Sequence, residues 1–438
     1  MDTPLDAFIR ESAWHGTLDA AGAILAANPE IAEQNIYAAA ILGNDTAVRR
    51  FLQQDPQLAT AKGGPLERDA LTYLCFSRYL RLDASRSEGF VRAAKALLDA
   101  GASADTGFFD TSHRPLPEWE SALYGAAGVA FHAGLTRLLM AHGANPNDEE
   151  VPYHAPETYD NSALEILLQS RRLSAESLST MLLRKADFHD YNGIRLLLEA
   201  GADPNYMTRW HYTPFQQALR RDNAFRNIEV MLDHGADPLL ANRYDGRSAV
   251  AIAARRGRGD ALAAFRELDI PLALTGVERL AAACAMNDAD TIQDIRDNEP
   301  ASVSVLLTNG GTFLAEFAGV GNAAGVACLL DLGVDIDALY GGDPYFEIPF
   351  GSTALHVAAW KAMHETVQIL IDRGASLDVK DRNGQSALQL AVRACTDSWW
   401  MDRRKPDSIA ALLRAGASAE GVGYPTGYEE ADRLLKNS

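Results

Sequence analysis

The sequence predicts an all-α protein, a solenoid of paired short helices with hairpin-like loops between the pairs. A helix end followed by a glycine turn recurs along most of the 438 residues. The repeating segments carry one apolar face each, too small to bury a core alone, so neighbours must stack to complete it. Internal repetition therefore overrides the prior of about three domains at ~150 residues each. The expectation is one continuous row over 1–438.

The elements follow from the turn. It reads LLDAGASAD (97–105), LLMAHGANPN (138–147), LLLEAGADPN (196–205) and MLDHGADPLL (231–240), then LLDLGVDID (329–337), LIDRGASLD (370–378) and LLRAGASAE (412–420). Its glycines are Gly101, Gly143, Gly201, Gly235, Gly333, Gly374 and Gly416. A helix commonly closes on a left-handed residue, a conformation that a β-carbon resists. The same phase places weaker units. Segments 16–29 and 43–56 are second helices of degenerate N-terminal units within 1–60. Units with long aromatic loops fill 61–240, where ALEILLQS (163–170) reads as the second helix of a truncated unit. Degenerate units follow over 241–310 and regular ones over 311–427, with YEEADRLLKNS (428–438) as a capping helix. At a period of ~33 residues this makes about eleven or twelve units.

The clearest copy, STALHVAAWKAMHETVQILIDRGASLD (352–378), resembles the ankyrin repeat. That family's signature runs T-P-L-H-x-A-A, a tight turn, and a second helix closing in G-A-D. Thr353, Leu355, His356, Ala358, Ala359, Val367, Ile369, Leu370, Gly374 and Ala375 stand at matching positions. Thr312 and Thr353 keep one offset from their turn glycines, and Thr213-Pro214 is one residue out. The resemblance implies an ankyrin-type helical solenoid that binds proteins and is not an enzyme. It also gives His356 the consensus role of tying one repeat's backbone to the next.

Forty basic residues stand against 59 acidic ones, a net charge of −19. Such a surface repels phosphate backbones and anionic headgroups, so nucleic acid is not an expected partner. MDTPLDAFIR lacks a basic n-region and an apolar core, and no stretch has the ~18 apolar residues needed to span a bilayer. The expectation is a cytoplasmic protein, monomeric and of bacterial origin, without membrane insertion. Cys75, Cys284, Cys328 and Cys395 show no paired spacing, which argues against zinc or disulfides. Cys75 and Cys284 take the place of a small core residue.

Function is sought in what remains once the repeat is subtracted. Most of the ten histidines fall on repeat positions; His15, His113, His154, His189 and His211 do not. Within KADFHDYNGIRLLLEAGADPN (185–205), His189 replaces the tight-turn glycine and Asp190 opens the second helix. Both suit a structural role, left-handed turn and N-cap, or a functional one. Asp187 and Phe188 end the first helix, where the family varies its contacts. No His-Glu-x-x-His, phosphate cradle or nucleophile elbow is present, so no catalytic residue, metal or cofactor is expected.

Insertions are the larger signal. Segments 105–120, 147–161 and 338–351 expand the connections between units, 206–212 is short but aromatic, and 78–89 and 395–408 separate helices within units. Long loops on a compact scaffold are functional or disordered, and aromatics argue against disorder. Loops of consecutive units would stand side by side, forming one ridge. Its aromatics either contact a partner or fold back over the protein's own edge. The expected binding residues are His113, Trp119, Tyr153, His154, Asp187, Phe188, His189, Trp210 and His211, gripping a protein or peptide. The alternative is a small-molecule-binding or hydrolytic protein with a His/Asp site in the loops of 105–212, built from His113, His154, Asp187, His189 and Asp190.

Overall fold

A computed structural model describes residues 2–112 and 115–437. It divides into two compact units: one of 1–218 and 229–236, the other of 219–228 and 237–438. Both are built from helix pairs, and the protein is all-α with ankyrin-type helical repeats.

In the first unit, Ile36–Ile41 pairs with Asp45–Gln54, Ala70–Cys75 with Ser87–Asp99, and Ala175–Asp187 with Tyr191–Glu199. First helices also pack on the first helices of their neighbours, Ile36–Ile41 against Ala70–Cys75. Small side chains allow this approach, and Ala38, Ala39, Ala40 and Cys75 are fully buried. In the second unit, Ala249–Arg255 stacks on Gly276–Ala285, and Gly310–Gly319, Ala354–Trp360 and Ala387–Thr396 stack in succession. Cys284 is buried there in the same way. The amphipathic helix Glu429–Lys436 packs on Asp407–Arg414, with Ala431 buried.

All seven turn glycines take positive φ, from 82° at Gly235 to 104° at Gly101. A second left-handed position recurs at the tight turn inside the pairs, at Gly43, Gly257, Asn287, Gly321 and Ala362. His189, with φ 55°, occupies that same place.

In the consensus copy, Thr353 and His356 form a capping box at the start of Ala354–Trp360. The other ring nitrogen, Nε2, donates toward the carbonyls of Val379 at 3.0 Å and Gln385 at 3.2 Å. Burial lowers the pKa of His356 and keeps the ring neutral, as an accepting Nδ1 and a donating Nε2 require.

Several insertions differ from plain loops. Gly107–Asp110 (β1) and Glu118–Ser121 (β2) form an antiparallel hairpin in the register Phe108↔Glu120 and Phe109↔Trp119. Gly107 is required there, because a β-carbon would stand 2.3 Å from the Glu120 carbonyl oxygen. The 147–161 stretch winds into a short helix, Glu150–His154, packed on Ala175–Asp187. It stacks between Gly125–Val129 and Ala175–Asp187, ahead of Ser162–Gln169 in the chain. A further helix, Pro300–Thr308, stands between the pair Gly276–Ala285 and Ala289–Asn298 and the pair that follows. No helix among the described residues is long and apolar enough to cross a membrane.

Candidate functional site

The site is centred on Glu150–His154, whose single turn projects Glu150 and His154 on one side and Tyr153 beside them. His154 is held between two carboxylates, Nε2 at 3.2 Å from Glu150 and Nδ1 at 2.9 Å from Glu157. Burial opposes its charge, but the bonds to Glu150 and Glu157 outweigh this and raise its pKa to about 9. Glu157 also bonds Arg184, whose Nη1 lies 2.5 Å from Asp187. Asp187 in turn accepts from Gln217 Nε2 at 2.6 Å. His154 and Asp187 thus belong to one network, joined through Glu157 and Arg184, which sequence reasoning did not single out.

Above this network lie the aromatics. The Arg184 guanidinium sits over the Tyr153 ring at 4.1 Å, and Tyr153 packs on Trp210 at 5.6 Å. Arg209 covers Trp210 at 4.7 Å and pairs with Glu149 at 2.8 Å. Tyr153, His154 and Trp210 are half-buried, open enough to be touched and packed enough to hold one orientation. Trp119 is also half-buried, set edge-on to Phe109 at 4.9 Å. Near it, Phe109 and Leu116 are exposed, as is Tyr159, whose hydroxyl donates to the Phe188 carbonyl at 2.9 Å.

The remaining expected residues have scaffold places. Asp187 is buried as the last residue of its helix and Phe188 caps that helix, 5.7 Å from the Arg184 guanidinium. His189 forms the left-handed turn, and His211 is an exposed residue with φ 69°. His113 lies outside the described residues.

The opening Lys185 and Asp190 pair with each other. Lys185 is fully buried, and its Nζ donates to Asp190 at 2.7 Å and to the Thr158 carbonyl at 2.6 Å. Asp190 also accepts from Asn161 at 2.9 Å and caps Tyr191–Glu199 through the Gly193 N–H at 3.1 Å. Burial works against both charges. It leaves the Lys185 pKa lowered, whereas Lys185 and Asn161 hold the Asp190 carboxyl below its usual range. Gly193 makes room for the pair, since a β-carbon would meet Lys185 Cε at 2.5 Å. This pair is a buried lock between two helices.

Against Glu150–His154 lies a π-helical turn, Gly125–Val129, a form that recurs at functional sites. A β-carbon on Gly128 would clash with Tyr124 and with His154 Cβ, the latter at 2.9 Å. The Tyr124 and His154 rings lie tilted against each other at 5.2 Å.

These helix hairpins define a repeat protein of the helical type. Residues 280–381 and 336–417 match the family model for ankyrin repeats, so the chain contains ankyrin repeats over that stretch. It is 37% identical over 60 residues to an ankyrin repeat protein of Acanthamoeba polyphaga mimivirus, covering 14% of this chain and 36% of that one. It is 41% identical over 72 residues to cyclin-dependent kinase 4 inhibitor B of Bos taurus, covering 16% and 53%. Over 84 residues it is 36% identical to a serine/threonine-protein kinase of Arabidopsis thaliana, covering 19% of this chain and 17% of the kinase. The chain therefore spans about half or less of each relative's length.

Proposed function

We propose that the protein is a non-enzymatic interaction scaffold that holds a protein or peptide against Tyr153, Trp210 and Trp119. The observation that carries this is the Trp210–Tyr153–Arg184 stack, half-exposed at its top and anchored below by Glu157 and Asp187. Rigid aromatics backed by buried charge are how interfaces concentrate their energy. The exposed Phe109, Leu116 and Tyr159 enlarge the apolar surface around it. With a net charge of −19, a partner with cationic and apolar side chains fits best. Ankyrin repeats themselves favour a protein partner, and the bovine relative's name describes a kinase inhibitor, a protein that acts on a protein.

Against the enzymatic alternative, His189 stands in a turn and Asp190 pairs with Lys185. Replacing Trp119 and Trp210 together by alanine should abolish capture of the cellular partner, each truncation costing ~2 kcal/mol or more. Thermal stability should stay nearly unchanged, because neither ring is fully buried. Undiminished capture by the double variant would discard this surface.

A further inference from the structure

Beside the aromatic surface, and independent of any partner there, is a cluster that the interaction role does not use. Glu118 and Glu120 lie two residues apart on β2 and so face the same side, opposite Trp119. The first residue of the Glu150–His154 helix brings Glu150 to them. One carboxylate oxygen from each of the three lies within 4.8 Å of the others. Glu120 is 1% exposed, and its Oε2 is buried without a hydrogen-bond partner among the described residues.

A buried carboxylate oxygen without a donor is rare, and each case asks for a missing partner. Neither of two nearby cationic groups, His154 and Arg68, donates a hydrogen bond to Glu120 Oε2. His154 is shared between Glu150 and Glu157, and the Arg68 guanidinium lies flat on Phe108, 3.3 Å from the ring centre.

We propose that Glu118, Glu120 and Glu150 bind a divalent cation of calcium size. Three carboxylates are a hard oxygen-donor set; binding through both oxygens they offer up to six ligands, and water completes the six to eight that calcium takes. Three carboxylates favour calcium over magnesium, which keeps several of its waters and is usually bound through only one or two carboxylates. The ion would give Glu120 Oε2 its partner.

Terbium luminescence tests this directly, with the full chain freed of metal by chelation and desalting. Trp119, between two of the ligands in the chain, is a built-in sensitiser. Terbium should give saturable emission, displaced by calcium at about ten-fold lower concentration than by magnesium. Glu120→Gln and Glu150→Gln should each weaken calcium binding by about ten-fold or more, with an unchanged circular dichroism spectrum in metal-free buffer. Should either variant fold poorly, Glu118→Gln, at a half-buried position, gives the same test. Calorimetry showing no calcium binding up to ~1 mM, binding indifferent to all three substitutions, or a preference for magnesium would overturn the proposal.

Discussion

Replacing Lys185 by methionine is the sharpest test of what the 185–190 segment does. The side chains are similar in volume, so the change removes charge rather than packing. Lys185 Nζ and Asp190 Oδ2 are 2.7 Å apart, with side chains 0% and 6% exposed. Two unit charges at that distance attract by about 6 kcal/mol at an effective dielectric of about 20. Much of this offsets desolvation, and stranding one partner of a buried pair costs roughly 3–5 kcal/mol. Lys185→Met should therefore destabilise the first unit by about that amount, since Asp190 keeps only Asn161 and the Gly193 N–H. Adding Asp190→Asn keeps the helix cap and removes the stranded charge, and should recover at least ~1 kcal/mol. Urea titration followed by circular dichroism gives the magnitude. Hydrogen exchange gives the location, with protection lost in Ala175–Asp187 and Tyr191–Glu199. A loss below ~1 kcal/mol together with failure to capture a partner would mark Lys185 as functional and refute the reasoning.

Other substitutions separate scaffold from surface. Gly193→Ala forces a β-carbon to within 2.5 Å of Lys185 Cε and should cost about 1–3 kcal/mol, localised by exchange to the same helices. In the second unit Arg256 bonds the buried Asp222 at 2.6 Å and the largely buried Glu316 at 2.8 Å. Arg256→Met should lower stability there by about 3–5 kcal/mol in a urea melt, and a near-neutral result would contradict the network. The first unit should also weaken on the alkaline side. His154 is raised from 6.5 to about 9, so its stabilising charge is fully present below 6.5 and is lost as pH rises through 9. Glu120, raised from 4.5 to about 8, acts with the same sign, because the folded state holds its proton longer than the unfolded one. His154→Gln should flatten the decline of melting temperature between pH 6.5 and 9; an unchanged slope would exclude the His154 bridges as its cause.

The repeat was legible because glycine turns are local: Gly101, Gly201 and Gly374 each announce a helix end within a few residues. His189 was legible as a turn residue for the same reason. The hairpin at Gly107–Asp110 and Glu118–Ser121 was expected only as an aromatic insertion, since β1 and β2 lack long alternation and are fixed by pairing. The Glu150–His154 helix was missed because five residues, one of them Pro152, are too few for a periodic signal. Glu157 and Arg184 were missed because they lie 27 residues apart and mean something only once helices stack. The Lys185–Asp190 lock was not legible, because sequence shows spacing but not burial. Glu120 had no signal at all, being one glutamate among 59 acidic residues until the fold buried it.

The central claim is that this scaffold recognises its partner through the Tyr153, Trp210 and Trp119 surface. Site-specific photocrosslinking reads this most directly, with a photoreactive phenylalanine at position 210 or 119 and a control at Arg195 on an exposed second-helix face. A protein adduct formed from 210 and 119 but not from 195 is the expected result. Adducts formed equally from all three positions, or from 195 alone, would contradict the account.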